Sequence, residues 1–282
     1  MRRHPWLLPS LIGSLLVVAP ALGLAEAVNP KKDLQEFQAF FKKRFPKVPF
    51  DEFSNGLYAL PGAEDRRAEW EAIMEFPPYE VELEKGKKFW EANNLGACFK
   101  NGGVGIAHTY PYWDKKRKMV RTAELDINEC LKRQGKKPIK NLKKGKMAQV
   151  VAYFRSMARG KRVKLNVDWS DPAAVAEYKR GRTFFWAKRG QLNFSCANCH
   201  VDAAGKFIGG NILSAALGHG VGFPAYRSKW GGLGTIHRRY SGCNKQVRAK
   251  PLKPQSREYR ALELYEAYMN TGLPLTAPSQ RF

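Results

Sequence analysis

The five residues Cys196-Ala197-Asn198-Cys199-His200 carry the clearest chemistry in the chain. In a C-x-x-C-H motif two thiols add to the vinyl groups of a haem and the adjacent imidazole becomes an axial iron ligand. Three side chains of one short turn thus fix porphyrin and metal together. A thioredoxin-like redox pair would be expected beside a βαβ pattern, which the flanking sequence lacks, and a zinc site would want a second Cys/His pair at matching spacing. The motif predicts one c-type haem, attached through Cys196 and Cys199 and ligated by His200.

The ligand on the other side of the iron decides what such a centre does. A methionine gives a high-potential electron carrier, a second histidine a bis-imidazole centre, and a thiolate an electron-rich iron. Met269, His219, His237 and Cys243 are the candidates by residue type. Met269 falls in a segment predicted to be a packing helix. Cys243 is the fifth cysteine, left over once four are assigned, and an unpaired thiol in an exported protein needs a reason. Arg239 precedes it by four residues, with Arg238 alongside. A guanidinium fork holds an oxyanion through paired charge-assisted hydrogen bonds, and nearby positive charge favours thiolate over thiol.

Export is read from the other end of the chain. Arg2 and Arg3 precede an apolar run from Trp6 to Leu24, broken by Pro9 and Pro20, and Ala25-Glu26-Ala27 supplies small residues for cleavage. This predicts a secretory signal peptide over residues 1–27, and the internal prolines argue against a lasting membrane anchor. An oxidising space such as the periplasm suits both haem attachment and disulfide formation. The whole chain carries 49 basic and 25 acidic side chains, net +24. Nucleic acid is a poor partner for an exported protein whose Lys and Arg residues are spread along the chain. An anionic substrate or acidic protein partners, drawn in by electrostatic steering, fit better.

About 255 residues remain after the leader, enough for two compact units. Residues 28–78 are polar and mixed, with one amphipathic helix predicted near Leu34 to Phe45, and read as an N-terminal extension that ends at Pro77-Pro78. Beyond them the chain repeats. Glu84-Lys85-Gly86-Lys87-Lys88-Phe89-Trp90 is similar to Lys179-Arg180-Gly181-Arg182-Thr183-Phe184-Phe185-Trp186, and each runs into a cysteine site. Each half also closes on an amphipathic helix, predicted over Val150 to Gly160 and Leu262 to Gly272. A helix before the haem motif and a last helix packed across it is the order of small cytochrome c folds. The predicted fold is therefore mostly α, with two tandem cytochrome c-like domains over 79–168 and 169–282. Ser170 or Asp171 is expected to cap the helix that starts near Pro172.

The first half has lost its haem motif. Leu95 stands where the first thiol would be, and Phe99 where the histidine would be, in Leu95-Gly96-Ala97-Cys98-Phe99. Cys98 has a natural partner in Cys130, and the bridge would close a loop of about 33 residues, worth on the order of 3 to 4 kcal/mol. His108 has no companion ligands in sequence and reads as a structural or surface residue. Past His200 the chain turns rich in glycine and aromatic residues (Gly209-Gly210, Gly218-His219-Gly220, Trp230-Gly231-Gly232), as expected where backbone approaches a flat porphyrin.

The segment from Gly231 to Asn244, GGLGTIHRRYSGCN, resembles the active-site segment of the SoxA family, the larger cytochrome subunits of SoxAX complexes in bacterial thiosulfate oxidation. The similarity extends to the leader, the two halves and the first-half cysteines. The family has two-haem and one-haem types, and Leu95 and Phe99 put this chain with the second, in which the first-domain cysteines form a disulfide. The resemblance implies a haem-dependent L-cysteine S-thiosulfotransferase. It implies His200 and Cys243 as axial ligands, Cys243 open to persulfide modification, and Arg239 as the residue that binds thiosulfate, with Cys243 and Arg239 catalytic. It further implies that thiosulfate is joined to the carrier cysteine of SoxYZ, with electrons leaving through haem to a SoxX-type subunit and an acceptor cytochrome c. The competing expectation is a plain electron-transfer cytochrome with Met269 or a histidine on the iron.

Overall fold

The computed structural model describes residues 28–282, and the signal peptide expected over 1–27 lies outside the described residues. The described chain starts with α1 (Pro30–Arg44). The Asn29 side chain accepts from the backbone N–H groups of Lys31 and Lys32, and Pro30 occupies a first-turn position where no donor is needed. A 3₁₀ segment over Phe50–Ala59 leads to α2 (Glu64–Glu75). The first half then runs α3 (Glu80–Ala92), β1 (Tyr112–Asp114), β2 (Met119–Arg121), α4 (Ala123–Arg133) and α5 (Lys146–Ser156). The second runs α6 (Pro172–Trp186), β3 (Phe207–Ile208), β4 (Asn211–Ile212), β5 (Ala225–Arg227), β6 (Gly232–Gly234), α7 (Ile236–Gln246), α8 (Arg257–Met269) and β7 (Ser279–Arg281). The strands form two short hairpins and one three-stranded sheet in the order β6-β5-β7, with β6 antiparallel and β7 parallel to β5. No helix among the described residues is long and apolar enough to cross a membrane.

The repeated K/R-G-K/R sequence has a structural purpose. Gly86 of α3 lies against the backbone of α5, where an added Cβ would overlap the carbonyl oxygen of Gln149 and press on Tyr153. Gly181 of α6 lies in the same way against α8, where a Cβ would overlap the carbonyl oxygen of Ala261 and press on Tyr265. In each pair the contacted residues are four apart, one turn of helix. Each glycine is followed within four residues by a buried aromatic: Trp90 stacks on Phe154, and Phe185 tilts against Tyr265.

Of the two residues expected to cap α6, Asp171 does so. Its Oδ1 accepts from the Ala173 N–H at 2.9 Å and its Oδ2 from the Trp113 indole at 2.8 Å, while the Ser170 hydroxyl donates to Asp168. The two closing helices start and end earlier than predicted. The Ser256 hydroxyl accepts from Tyr259 N–H and starts α8 before the apolar stripe begins. Gly160 and Gly272, read from sequence as helix ends, instead adopt positive φ in two segments that lace together. Gly160 N–H bonds Leu275, Gly272 N–H bonds Val163, and Val163 N–H bonds Leu273.

The core follows this plan. Trp90, Leu95, Ile127, Leu131, Met147 and Phe154 pack one apolar centre. Phe37 and Phe41 of α1 and Phe53 of the 3₁₀ segment share a second with Tyr178, Phe185 and Tyr265. Residues of α1 and of the 3₁₀ segment are thus part of the core that surrounds the C-x-x-C-H turn.

Candidate functional site

Ser195 and Asn198 close the turn that carries the two motif thiols. Asn198 Oδ1 accepts from the Ser195 N–H and hydroxyl, and Ser195 Oγ accepts from the Asn198 N–H, all at 3.0 Å. The turn widens to a π-helical loop over Asn198–Asp202, a distortion common where backbone must present side chains to a ligand. Cys196 and Cys199 are both free thiols. His200 is buried, and its Nδ1 lies 2.9 Å from the Ser214 carbonyl oxygen, so Nδ1 carries the proton and Nε2 keeps its lone pair. Arg189 bonds the Cys196 sulfur at 3.6 Å and packs its guanidinium on Phe184.

Helix α7 supplies the other half of the site. Arg239 and Cys243 are four residues apart and half-buried, whereas Tyr240 and Asn244 one position on are buried. Arg239 and Cys243 therefore share one outward face of the helix. Its N-terminus is held by the first half: Thr235 donates through N–H to Lys143 and through its hydroxyl to Leu142. Arg238 lies over the Trp230 ring at 4.2 Å and donates to the Leu233 carbonyl at 3.4 Å, so of the two adjacent guanidinium groups only that of Arg239 is without a hydrogen bond or ion pair among the described residues.

The alternative iron ligands are engaged elsewhere. His237 is fully buried, with Nδ1 accepting from Gln255 N–H at 2.9 Å, and its Nε2 lies 3.0 Å from Glu263 Oε2 without making a hydrogen bond. His219 meets Ser214 Oγ at Nε2 and Glu266 at Nδ1. Met269 is packed in the apolar core. Cys243 remains as a free thiol on a face of α7.

Electrostatics place these groups in one neighbourhood. Burial pushes the Cys196 thiol up to about 12, helped by the charges of Glu266 and Cys243. Cys199 is raised by burial and by Cys243, with Arg239 opposing. Burial pulls the His200 imidazole down to about 4, so it stays neutral and able to donate its lone pair, and the Arg239 charge acts in the same direction. Cys243 and Arg239 are therefore close enough to the haem motif for their charges to be felt there.

The SoxA/TsdA cytochrome c domain model matches residues 85–163, the half whose motif is degenerate. Over the full length of both chains, the sequence is 43% identical to the L-cysteine S-thiosulfotransferase subunit SoxA of Allochromatium vinosum. It is 47% identical to that of Chlorobaculum tepidum over 88% of this chain and 87% of the relative. The chain belongs to the SoxA family. The fold of this SoxA-family chain is also similar to a chain in the crystal structure of SoxXA from P. pantotrophus. That match has a TM-score of 0.66 and 30% identity over 73% of this chain and 79% of that one.

Membership in a cytochrome c family implies c-type haem, and the residues present fit it. Two free thiols share one turn, the imidazole beside them has one nitrogen satisfied and one unpaired, and no competing disulfide forms within the motif. In the first half Cys98 and Cys130 are joined by a disulfide, Leu95 is fully buried, and Phe99 packs against Trp90 and Phe154.

Two arginines near the site gave no signal in the sequence. Arg44, at the end of α1, donates to the carbonyl oxygens of Val201, Asp202 and Ala204 at 2.9 to 3.0 Å, capping the end of the motif turn. Arg227 on β5 donates to the Phe282 carbonyl at 2.8 Å, and it is pulled down to about 10 by burial and by the Arg239 charge, while Cys243 opposes. Neither contact follows from local spacing, because each partner is distant in sequence. Two glycines past His200 are also required by contacts within the protein. At Gly218 a Cβ would overlap the Phe53 carbonyl oxygen, and at Gly234 it would meet Trp230 and Arg238.

Proposed function

We propose that the chain acts as an L-cysteine S-thiosulfotransferase subunit, joining thiosulfate oxidatively to the cysteine of a SoxYZ-type carrier. In this reading Cys196 and Cys199 would hold one c-type haem, with His200 and Cys243 the residues that would bind its iron. The observation that carries the ligand assignment is that His237 is fully buried with Nδ1 accepting from Gln255 N–H and His219 lies between Ser214 and Glu266, while Cys243 is a free thiol on the same α7 face as Arg239. The two helix pairs crossing at Gly86 and Gly181 support tandem cytochrome c-like units over 79–168 and 169–282, after an extension over 28–78. A leader over 1–27 then directs the chain to the periplasm.

Arg239, whose guanidinium has no ion pair or hydrogen bond among the described residues, is the residue that receives the thiosulfate dianion, and the Arg227 charge lowers the cost of bringing it in. The carrier cysteine attacks as its thiolate. The sulfane sulfur of thiosulfate and the carrier sulfur form one S–S bond, yielding an S-thiosulfonate on the carrier and two electrons. When bound, the haem supplies the one-electron redox capacity that passes these electrons to a SoxX-type cytochrome subunit and an acceptor cytochrome c. Cys243 is catalytic through its sulfur at this centre, and Arg239 through its hold on the oxyanion.

Ferric electron paramagnetic resonance and near-infrared spectra of the purified holoprotein test the assignment. An imidazole–thiolate low-spin signature that is lost in Cys243→Met is the expected result. A His–Met or bis-imidazole signature in the natural protein would overturn it. Arg239→Ala is expected to lower thiosulfate-dependent cytochrome reduction by about 10²-fold, the order seen when one oxyanion donor is removed, with the ferric spectrum retained.

A further inference from the structure

A partly buried polar chain beside the motif has no part in the proposed reaction. The Ser214 carbonyl accepts from His200 Nδ1, the Ser214 hydroxyl lies 3.0 Å from His219 Nε2, and His219 Nδ1 lies 3.4 Å from Glu266 Oε1. The Tyr240 hydroxyl donates to the other Glu266 oxygen. With Glu266 ionised and His219 neutral, one set of proton positions satisfies every atom. Tyr240 O–H and His219 Nδ1–H donate to the carboxylate, Ser214 O–H donates to His219 Nε2, and His200 Nδ1–H donates to the Ser214 carbonyl. Burial holds His219 neutral, as this arrangement requires.

The loop that carries Ser214 is tied to α8 at two places. Asn270, one turn beyond Glu266 on α8, accepts from Gly218 N–H at 2.7 Å and donates to the His219 carbonyl. Ala216 N–H in turn bonds the His200 carbonyl at 2.8 Å. Tyr240 lies on α7 between Arg239 and Cys243, so Glu266 meets the elements that carry both proposed iron ligands.

We propose that Glu266 is a positioning residue of the haem site, holding the proximal imidazole in place through His219 and Ser214 and the thiol-bearing helix through Tyr240. The inference rests on the reading of His200 and Cys243 as axial ligands. A hydrogen bond to the far nitrogen of a ligating imidazole sets its orientation and raises its basicity, and the bond is only as rigid as the carbonyl that accepts it. A buried carboxylate two bonds further out fixes that carbonyl and adds negative charge, both of which favour ferric iron.

The groups around Glu266 are His219 and Tyr240 in contact, His200, His237 and Glu263 within range of its charge, and Glu124 and Arg155 across the cavity it lines. Burial pushes the Glu266 carboxyl up to about 7 against the pull of the Tyr240 hydroxyl, so the comparison belongs at alkaline pH, where the carboxylate is formed.

The test is an equilibrium redox titration and a ferric paramagnetic resonance spectrum of the haem-loaded full chain with its cytochrome partner. In Glu266→Gln, at the potential where the natural protein is half reduced, the ferrous to ferric ratio is expected to rise about tenfold, a shift of about 59 mV for one electron. The ferric g-values are expected to move as the imidazole loosens. Ser214→Ala, which keeps the carbonyl and removes only the hydroxyl, is expected to shift the potential less, in the same direction. The double variant should fall short of the sum, because both act along one path. Haem-loaded Glu266→Gln with the natural potential and g-values overturns the proposal, as does full additivity. Should Glu266→Gln fail to fold, natural values in both Ser214→Ala and Tyr240→Phe overturn it as well. The spectrum of the natural protein alone judges the ligand reading, so an imidazole–thiolate signature with unmoved variants sinks this inference and spares that one.

Discussion

Arg44 shows how one side chain from outside the repeated halves reaches the chemistry. Its three hydrogen bonds end on the carbonyls of Val201, Asp202 and Ala204, groups at the end of a turn that has no further helix to satisfy them. Charged donors to half-buried carbonyls are worth more than neutral ones. Arg44→Ala is expected to cost about 2 to 3 kcal/mol in urea unfolding of the holoprotein. The exposed neighbour Lys43, replaced by Ala, is expected to change stability by less than about 0.5 kcal/mol. Equal effects at the two positions would show that the cap does not stabilise the turn.

At the scale of the element, the two crossing glycines give a test with a definite sign. In an isolated helix Gly→Ala is stabilising by about 1 kcal/mol. At Gly86 and Gly181 the methyl group would overlap a carbonyl of the partner helix, which forces the pair apart. Each substitution is expected to destabilise by about 3 kcal/mol or more in thermal or urea unfolding, and Gly181→Ala is expected to lower haem retention too. A gain in stability at either site would mean that the helices cross with more room than observed. The disulfide is the other element-level device. Cys98→Ser is expected to cost about 3 to 4 kcal/mol, while the haem absorbance per mole of protein stays unchanged, because the bridge lies in the other half.

For the whole molecule, the net charge of +24 sets how partners arrive. Association with an acidic carrier or cytochrome is expected to slow as salt is raised, with the dissociation rate less affected, in stopped-flow measurements between about 0.01 and 0.15 M ionic strength. An association rate indifferent to salt would assign that charge to solubility alone. Mass spectrometry of the oxidised chain is expected to find a single haem and a Cys98–Cys130 peptide. Two haems would contradict the degeneracy of the first half.

Local chemistry was legible from residue order alone. The turn at 196–200, the odd cysteine four residues after Arg239, the substitutions at Leu95 and Phe99, and the paired glycines are all short-range patterns, and the Cys98–Cys130 bridge followed from counting thiols. What only the tertiary structure decided is which candidates were already spoken for. His219 and His237 match Cys243 as iron ligands by type, but Glu266 and Ser214 lie against the His219 nitrogens, and His237 is fully buried between Gln255 and Glu263. These partners come from other elements and from positions up to 47 residues away. The same holds for Arg44, whose three acceptors lie some 160 residues on. A hydrogen bond between groups so far apart in sequence leaves no periodicity behind. Its geometry exists only once burial has fixed both ends, and that is why the motif was plain in the sequence and its surroundings were not.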